Sequence, residues 1–394
     1  MSLNETVSAE RVHIGFFGMR NAGKSSLVNA VTGQNLSVVS DVLGTTTDPV
    51  KKAMELLPIG PVVIIDTPGY DDFGELGEKR VEKTNEILAK TDIAVLVVDG
   101  KKGLSKGDNE LLDNFKKRKI PFIVVYNKSD LIESIPQTKD YEIYVSSVNN
   151  TNIFELKEKI GAFAKSTEKK KYLVSDLVEK GDVVVLVIPI DESAPKGRLI
   201  LPQQLAIRDL LDGNCTVVSC QDTELASTLK ALAKKPGLVV TDSQAFGRVS
   251  KIVPEDIYLT SFSILMARYK GELETLINGA KRLSQIKDGD KILISEGCTH
   301  HRQCNDIGTV KLPRWIREYT GAEPRFSFTS GGEFPQDLSG FSLVVHCGGC
   351  TLNEKEMNHR INLAKEQGVP IVNYGIAIAE MNGILDRSIE ILKS

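Results

Sequence analysis

The sequence predicts an α/β protein of three domains, and three features predict it. Short Val- and Ile-rich runs (VHIGFFG, PVVIIDTPG, DIAVLVVDG, PFIVVYNK, YEIYVSS) alternate with amphipathic helical stretches from about residue 11 to 165, as in a doubly wound parallel sheet. The same strand-then-helix rhythm restarts at DVVVLVIPID and again at DKILISEG. The length of 394 residues exceeds one ordinary core and suits two or three. The expected division is an N-terminal P-loop domain over 1–170, a small central parallel-sheet domain over 171–262, and a C-terminal parallel-sheet, metal-binding domain over 263–394. The charged tract KSTEKKK, residues 165 to 171, has no apolar period and reads as a solvated helix end or linker.

The first strand, VHIGFF, runs into Gly18, Met19, Arg20, Asn21, Ala22, Gly23, Lys24, Ser25 and Ser26, and a helix follows. In such a loop the backbone amides cradle phosphate oxygens, Lys24 reaches the terminal phosphates, and the Ser25 hydroxyl ligates Mg²⁺. Asp66, Thr67, Pro68 and Gly69 end the strand PVVIID. A carboxylate there can hold the Mg²⁺ shell, and the glycine amide can sense a γ-phosphate. Asn127, Lys128, Ser129 and Asp130 end PFIVVY, and Ser146 and Ser147 follow YEIYV.

These last two segments resemble the guanine-reading NKxD and the second base-contacting loop of GTPases. The resemblance implies GTP and GDP as ligands, with the Asp130 carboxylate accepting from the base. Gly44, Thr45, Thr46, Thr47 and Asp48 are similar to the GTTRD switch of the Era and MnmE branch, which makes Thr46 the Mg²⁺-sensing hydroxyl. The catalytic group is then Lys24, Ser25, Thr46, Asp66 and Gly69. Asn21 matches a P-loop asparagine that helps relatives bind a potassium ion. Tyr70 stands where Ras-like enzymes carry a water-positioning glutamine, so K⁺ and a partner G domain are expected to supply the missing positive charge. Asp71, Asp72 and Glu75 read as a solvated switch loop.

The central strands DVVVLVIPID, CTVVSC, GLVVTD and IYLTSF are nearly all apolar, with helix-like PQQLAIRDLLDG and DTELASTLKALAKK between them. Such strands belong to a sheet covered on both faces, or on one face by a second subunit, and a homodimer is expected here. Cys215 and Cys220 bound CTVVSC and read as small buried hydrophobes.

A long helical stretch over residues 264–286 opens the third domain. Cys298 follows its strand DKILISEG, and His346, Cys347, Gly348, Gly349 and Cys350 follow FSLVV. Both lie at carboxyl ends of predicted parallel strands, where open α/β sheets place ligands. His300, His301 and His346 gather around the same candidate cavity. Zinc would accept Cys298, Cys347, Cys350 and one histidine as a tetrahedral site. A 4Fe-4S cluster would use the same thiolates and leave its fourth iron for a histidine, a carboxylate, water or an incoming ligand. Cys304 lacks the strand-end position and ranks second.

A P-loop followed by Cys298-Thr299-His300, a long spacer and HCGGC resembles the FeFe-hydrogenase maturation GTPases, the HydF family. The middle run IDESAPKGRLILPQQLAIRDLLD is similar to that family as well, so the resemblance spans essentially the whole chain. It implies a GTPase domain, a dimerisation domain and an iron-sulfur domain in that order. Cys298, Cys347 and Cys350 match the family's 4Fe-4S ligands, and His300 and His346 match motif histidines that either ligate iron or support the ligands. The implied role is a slowly hydrolysing scaffold that holds a transient two-iron precursor and passes it on. The implied partners are the radical-SAM maturases HydE and HydG and the FeFe-hydrogenase apoprotein. A zinc-stabilised regulatory GTPase and an RNA or ribosome-assembly GTPase of the Era/MnmE type remain as alternatives.

With 49 basic and 52 acidic residues the formal charge is -3, which offers no global basic field for nucleic acid or anionic lipid. The N-terminus carries no basic stretch followed by an apolar signal core, and runs such as residues 183 to 190 are far shorter than a bilayer span. The expectation is a cytoplasmic protein without membrane or nucleic-acid partners. A reducing compartment removes weight from a disulfide reading of the cysteines. No CxxxCxxC radical-SAM signature is present, so synthesis of CO or cyanide is not expected.

Overall fold

Two-sided burial of parallel strands shapes both halves of the chain. The structure, a computed structural model, describes residues 10–34, 50–70, 83–167, 171–190, 199–297 and 306–393. It divides into two compact units, 1–169 and 170–394.

The first unit holds strands β1 (Val12–Phe17), β2 (Val50–Leu56), β3 (Gly60–Asp66), β4 (Ile93–Asp99), β5 (Phe122–Asn127) and β6 (Glu142–Tyr144), in the order β2-β3-β1-β4-β5-β6. Alternate residues of each central strand feed opposite faces. Val62, Ile64, Val95, Val97, Ile123 and Val125 enter one apolar cluster, while Val63, Ile65, Leu96, Val98 and Val124 enter the other. Helices Lys24–Thr32 and Ile153–Thr167 cover the first face, and Lys106–Lys117 covers the second. The last of these begins with a reciprocal cap between Ser105 and Asp108 and lays Phe115 against Phe17, with ring centroids 5.4 Å apart.

Within this sheet β2 runs antiparallel to β3, a strand that the apolar pattern does not reveal. Its sequence VKKAMEL lies at the sheet edge with Lys51 and Lys52 exposed, so it carries no continuous apolar run. Lysines on an edge strand also discourage pairing with another chain.

The second unit contains two parallel sheets. One has the order β10-β9-β7-β8, built from β7 (Val183–Val187), β8 (Thr216–Cys220), β9 (Leu238–Thr241) and β10 (Tyr258–Ser261). The other has the order β12-β11-β13-β14, built from β11 (Lys291–Glu296), β12 (Arg325–Ser330), β13 (Leu343–His346) and β14 (Ile371–Asn373). A single apolar cluster runs through both: Val185, Val187 and Val239 lie in it with Ile292, Ile294, Val344 and Val345. Val184, Leu186, Leu238 and Val240 face the other way, toward Phe262 and Leu265.

The helical stretch expected over 264–286 is divided. Helix Phe262–Lys270 ends at Gly271, helix Leu273–Ala280 follows, and a 3₁₀ turn spans Leu283–Gln285. Gly271 is extended, and a Cβ on it would stand 3.0 Å from Ile361 Cδ1. Glycine is a poor helix former, and here it closes the first helix with its amide donating to the Ala267 carbonyl and leaves room for Ile361. Gly279 permits an even closer approach, because a Cβ there would meet the Ile371 carbonyl oxygen at 1.9 Å. Among the described residues no helix is long and apolar enough to cross a membrane.

The shared cluster predicts that both sheets of the second unit unfold together. Ile294→Ala should cost about 2–5 kcal/mol, and Val187→Ala should destabilise the same calorimetric transition although it sits in the other sheet. Separate transitions affected by one substitution each would contradict a common core.

Candidate functional site

Polar groups collect at the carboxyl ends of β1, β3, β4, β5 and β6. The turn after β1 is set by Gly18 and Gly23, with φ of 142° and 88°. A Cβ on Gly23 would lie 2.3 Å from Asn127 Nδ2, so glycine lets the loop close on the strand end of β5. Lys24 is buried and its Nζ donates to the Gly18 carbonyl at 3.0 Å and the Met19 carbonyl at 2.9 Å. The Tyr70 amide donates to the Gly18 carbonyl at 3.1 Å, tying the end of the Asp66-to-Gly69 segment to the same loop. Tyr70 itself is buried in the cluster with Phe17 and Phe115, so its ring is packed into the apolar face.

Ser25 Oγ donates to Asp66 Oδ2 at 2.8 Å. Asp66 Oδ1 is buried and has no hydrogen-bond partner among the described residues. Such an orphan costs free energy unless something satisfies it. A hard cation taking oxygen from Ser25 and from the edge of this carboxylate fits that donor set.

Asn127 joins three segments. Its Nδ2 reaches the Ala22 and Gly23 carbonyls at 3.3 and 3.4 Å, and its Oδ1 accepts from the Ser147 amide at 3.1 Å. Lys128, in the left-handed region at φ 64°, donates to Asp99 Oδ2 at 2.6 Å and to the Asn21 carbonyl at 2.8 Å. Burial works against the Asp99 charge, but the Lys128 ammonium and the Lys101 and Lys102 amides outweigh it and lower the carboxyl pKa. Ser146 Oγ donates to Asp130 Oδ1 at 2.5 Å and accepts from the Asn149 amide at 3.1 Å. Gly18, Asn21, Ala22, Gly23, Lys24, Ser25, Asp66, Gly69, Asn127, Lys128, Asp130, Ser146 and Ser147 are thus placed by one set of strand ends. Asp99 is an addition that its position at the end of DIAVLVVD could have signalled. Thr46, Asp71, Asp72 and Glu75 lie outside the described residues.

In the second unit the ends of β11 and β13 adjoin, with Ser295 opposite His346. Cys347 Sγ accepts from the Gly297 amide at 3.0 Å and the Gly349 amide at 3.4 Å. Thr351 Oγ1 donates to the Gly297 carbonyl at 2.7 Å. Gly297 is therefore held on the CGGC loop from both sides, and Cys298 is the next residue in the chain. Cys298, His300, His301 and Cys304 lie outside the described residues, and among the described ones no three His, Cys, Asp or Glu side chains form a metal-holding group. Burial pushes the Cys347 thiol up to about 11 and raises that of Cys350, so both are neutral unless a cation draws off the proton. Backbone amides aimed at sulfur are the donors that a thiolate bound to an iron-sulfur cluster uses, so the residues present fit that group. Cys215 is buried and Cys220 half-buried on the central sheet.

His346 is fully buried and both its ring nitrogens are engaged. Arg360 can only donate, so its contact with His346 Nε2 at 3.0 Å places the imidazole proton on Nδ1, which donates to the Cys347 carbonyl at 2.8 Å. Burial, with the Arg360 charge beside it, lowers the imidazole pKa to about 3 and keeps the ring neutral. No nitrogen is left for a metal without displacing Arg360, so this arrangement supports the CGGC loop through the Cys347 backbone. Arg360 is 1% exposed and also donates to Glu356 Oε1 and the Gly331 carbonyl, both at 2.8 Å, while its guanidinium lies 5.0 Å from the Phe334 ring centroid. The i,i+4 pair in EKEMNHRINLAKEQG was the available signal for it.

Three family models match the chain. A hydrogen maturase F dimerization domain covers residues 173–271, a hydrogen maturase F tetramerization domain covers 274–391, and a 50S ribosome-binding GTPase covers 13–128. The tRNA modification GTPase MnmE of Clostridioides difficile (strain 630) is 36% identical over 151 residues, 36% of this chain and 32% of that protein. GTPase Der of Kosmotoga olearia is 34% identical over 145 residues, 34% of this chain and 33% of that one. The chain thus spans about a third of the length of the curated relatives it matches. The solved structure of a probable GTP-binding protein engB is 26% identical and covers 39% of this chain and 100% of its own, with a TM-score of 0.33.

Replacing Arg360 by Met should lower the stability of the second unit by about 3–5 kcal/mol, because the buried Glu356 carboxylate, His346 and the Gly331 carbonyl all lose the guanidinium. Chemical denaturation monitors this, and a double Arg360→Met, Glu356→Leu variant should recover part of the loss.

Proposed function

Because the chain belongs to the hydrogen maturase F family and opens with a GTPase domain of the Era and MnmE kind, we propose that it is a cytoplasmic GTP-binding and GTP-hydrolysing scaffold of FeFe-hydrogenase maturation. In this reading the second unit carries a 4Fe-4S cluster on Cys298, Cys347 and Cys350 and passes a two-iron precursor to the hydrogenase apoprotein, in concert with HydE and HydG. The observation that carries it is the pair of amides, Gly297 and Gly349, directed at Cys347 Sγ where the chain enters Cys298.

In the first unit, the P-loop amides and Lys24 bind the phosphates. Ser25, Thr46 and Asp66 hold Mg²⁺ directly or through its water shell, and the Gly69 amide senses the γ-phosphate. Asn21 is the K⁺ ligand of this reading. Asp130 selects guanine, because its carboxylate accepts from N1-H and the exocyclic amine, and Ser146 fixes the carboxylate for that task. Ser147 and Lys128 line the base, with Lys128 also clamped to the P-loop through Asn21.

In the second unit, the three thiolates hold the cluster while the Gly297 and Gly349 amides stabilise sulfur charge. His346 orients the Cys347 backbone from the protein side, and His300 is the remaining motif histidine of the site. The cluster, when bound, supplies an iron position open to an exchangeable ligand. The family domains point to assembly, and a homodimer through the central sheet within 171–262 is part of the reading, with the cluster domain over 263–394.

Two measurements test this. Asp130→Asn should exchange preference from guanosine to xanthosine triphosphate by at least tenfold, read by nucleotide binding, since the amide reverses the hydrogen-bond pattern offered to the base. Equal binding of GTP and ATP by the unsubstituted chain would contradict the guanine site.

Anaerobic purification should yield iron and sulfide with the unsubstituted chain, and Cys347→Ser should lose most of that iron while GTP turnover stays intact. One tightly bound zinc in place of iron would instead identify a zinc-stabilised GTPase.

A further inference from the structure

The CGGC loop is gripped by a buried ammonium that no motif contains. Lys270 is the last residue of helix Phe262–Lys270 and is only 3% exposed. Its Nζ donates to the Leu352 carbonyl at 2.9 Å and the Cys350 carbonyl at 3.3 Å. A lysine in the last turn commonly serves its own helix dipole. Here the head group also reaches a different element, eighty and eighty-two residues further along the chain.

The peptide geometry gives this grip a consequence for sulfur. In a planar trans peptide the carbonyl and the following amide point in opposite directions. Fixing the Cys350 carbonyl on Lys270 turns the Thr351 N–H to the opposite side of the peptide, and the Lys270 charge favours the Cys350 thiolate. The same contact brings a fixed positive charge to the loop in a setting of low polarity, where charge interactions are strong. Burying an ammonium is costly unless charge or dipoles offset it. A cubane on three thiolates carries net negative charge, and one-electron reduction adds another.

We infer that Lys270 is the counter-charge of the cluster site, a positioning residue that orients the CGGC loop and raises the reduction potential of the cluster bound there. The inference rests on the proposed cluster reading and deepens it. It also gives helix Phe262–Lys270, inside the segment matched by the dimerization domain, a direct hold on a loop inside the segment matched by the tetramerization domain.

The test uses the full chain reconstituted anaerobically with iron and sulfide, in unsubstituted, Lys270→Gln and Lys270→Arg forms, followed by dithionite titration monitored by EPR. Gln keeps a donor for the carbonyls and removes the charge, whereas Arg keeps the charge. The expected result is an at least tenfold less favourable reduction of Lys270→Gln, about 59 mV for one electron, with Lys270→Arg close to the unsubstituted potential. A folded Lys270→Gln that takes up no iron while Lys270→Arg does supports the same role. An unchanged potential in Lys270→Gln overturns the counter-charge, as does failure of Lys270→Arg to load. Unfolding of the metal-free Lys270→Gln chain, read by circular dichroism, marks a purely structural lysine and also overturns it. Absence of any cluster in the unsubstituted chain overturns the cluster reading itself, whereas the other adverse results leave that reading standing.

Discussion

Parallel strands can be joined only by crossovers, and crossovers lay helices over both faces of the sheet. Every sheet here except the β2 edge obeys that constraint; in the first and central sheets the inner strands send alternate residues into opposite apolar clusters, and in the C-terminal sheet Ile292, Leu293, Ile294, Leu343, Val344 and Val345 all join one cluster. Faces packed in this way leave no room for chemistry. Both groups of polar residues lie at the strand ends and in the loops and helix starts that follow them, the nucleotide set in one unit and the CGGC loop in the other.

Cohesion at each site comes from backbone groups pinned by a few buried side chains. Asn127 connects the P-loop to the loop of Ser147. Ser25 and Asp66 connect the first helix to the end of β3. In the second unit Arg360 and Lys270 play the equivalent part, the former through His346 and the latter through the carbonyls of Cys350 and Leu352. Each is a long cationic side chain whose burial is tolerated because carbonyls, a carboxylate or an aromatic face surround its head group. Such cations arrive from elements remote in sequence, which makes the loops dependent on the whole unit being folded.

The shared core of the second unit gives that dependence a mechanical form. The central and C-terminal sheets are joined by helices Phe262–Lys270, Leu273–Ala280 and Tyr374–Met381, all packed into the cluster that contains strands from both sheets. Helix Phe262–Lys270 thus contacts both the core packed on the central sheet and, through Lys270, the CGGC loop. The two segments matched by separate family models are one compact unit in this chain.

Local signals in the sequence determined the α/β class, the strand-end positions of the P-loop, Asp66 and NKSD, and the placement of CGGC after a buried strand. Those features follow from alternation period and from Gly, Lys, Ser and Asp at fixed offsets, which are properties of neighbouring residues. The edge strand β2 escaped because its exposed lysines erase the apolar run, and the helix break at Gly271 escaped because the apolar period continues on both sides of that glycine. Tertiary structure alone decided that His346 turns Nε2 to Arg360, that Lys128 pairs with Asp99, and that Lys270 grips the loop. The reason is physical: which partner satisfies a buried polar group depends on what the completed core brings within about 3 Å of it, and no spacing along the chain encodes that distance.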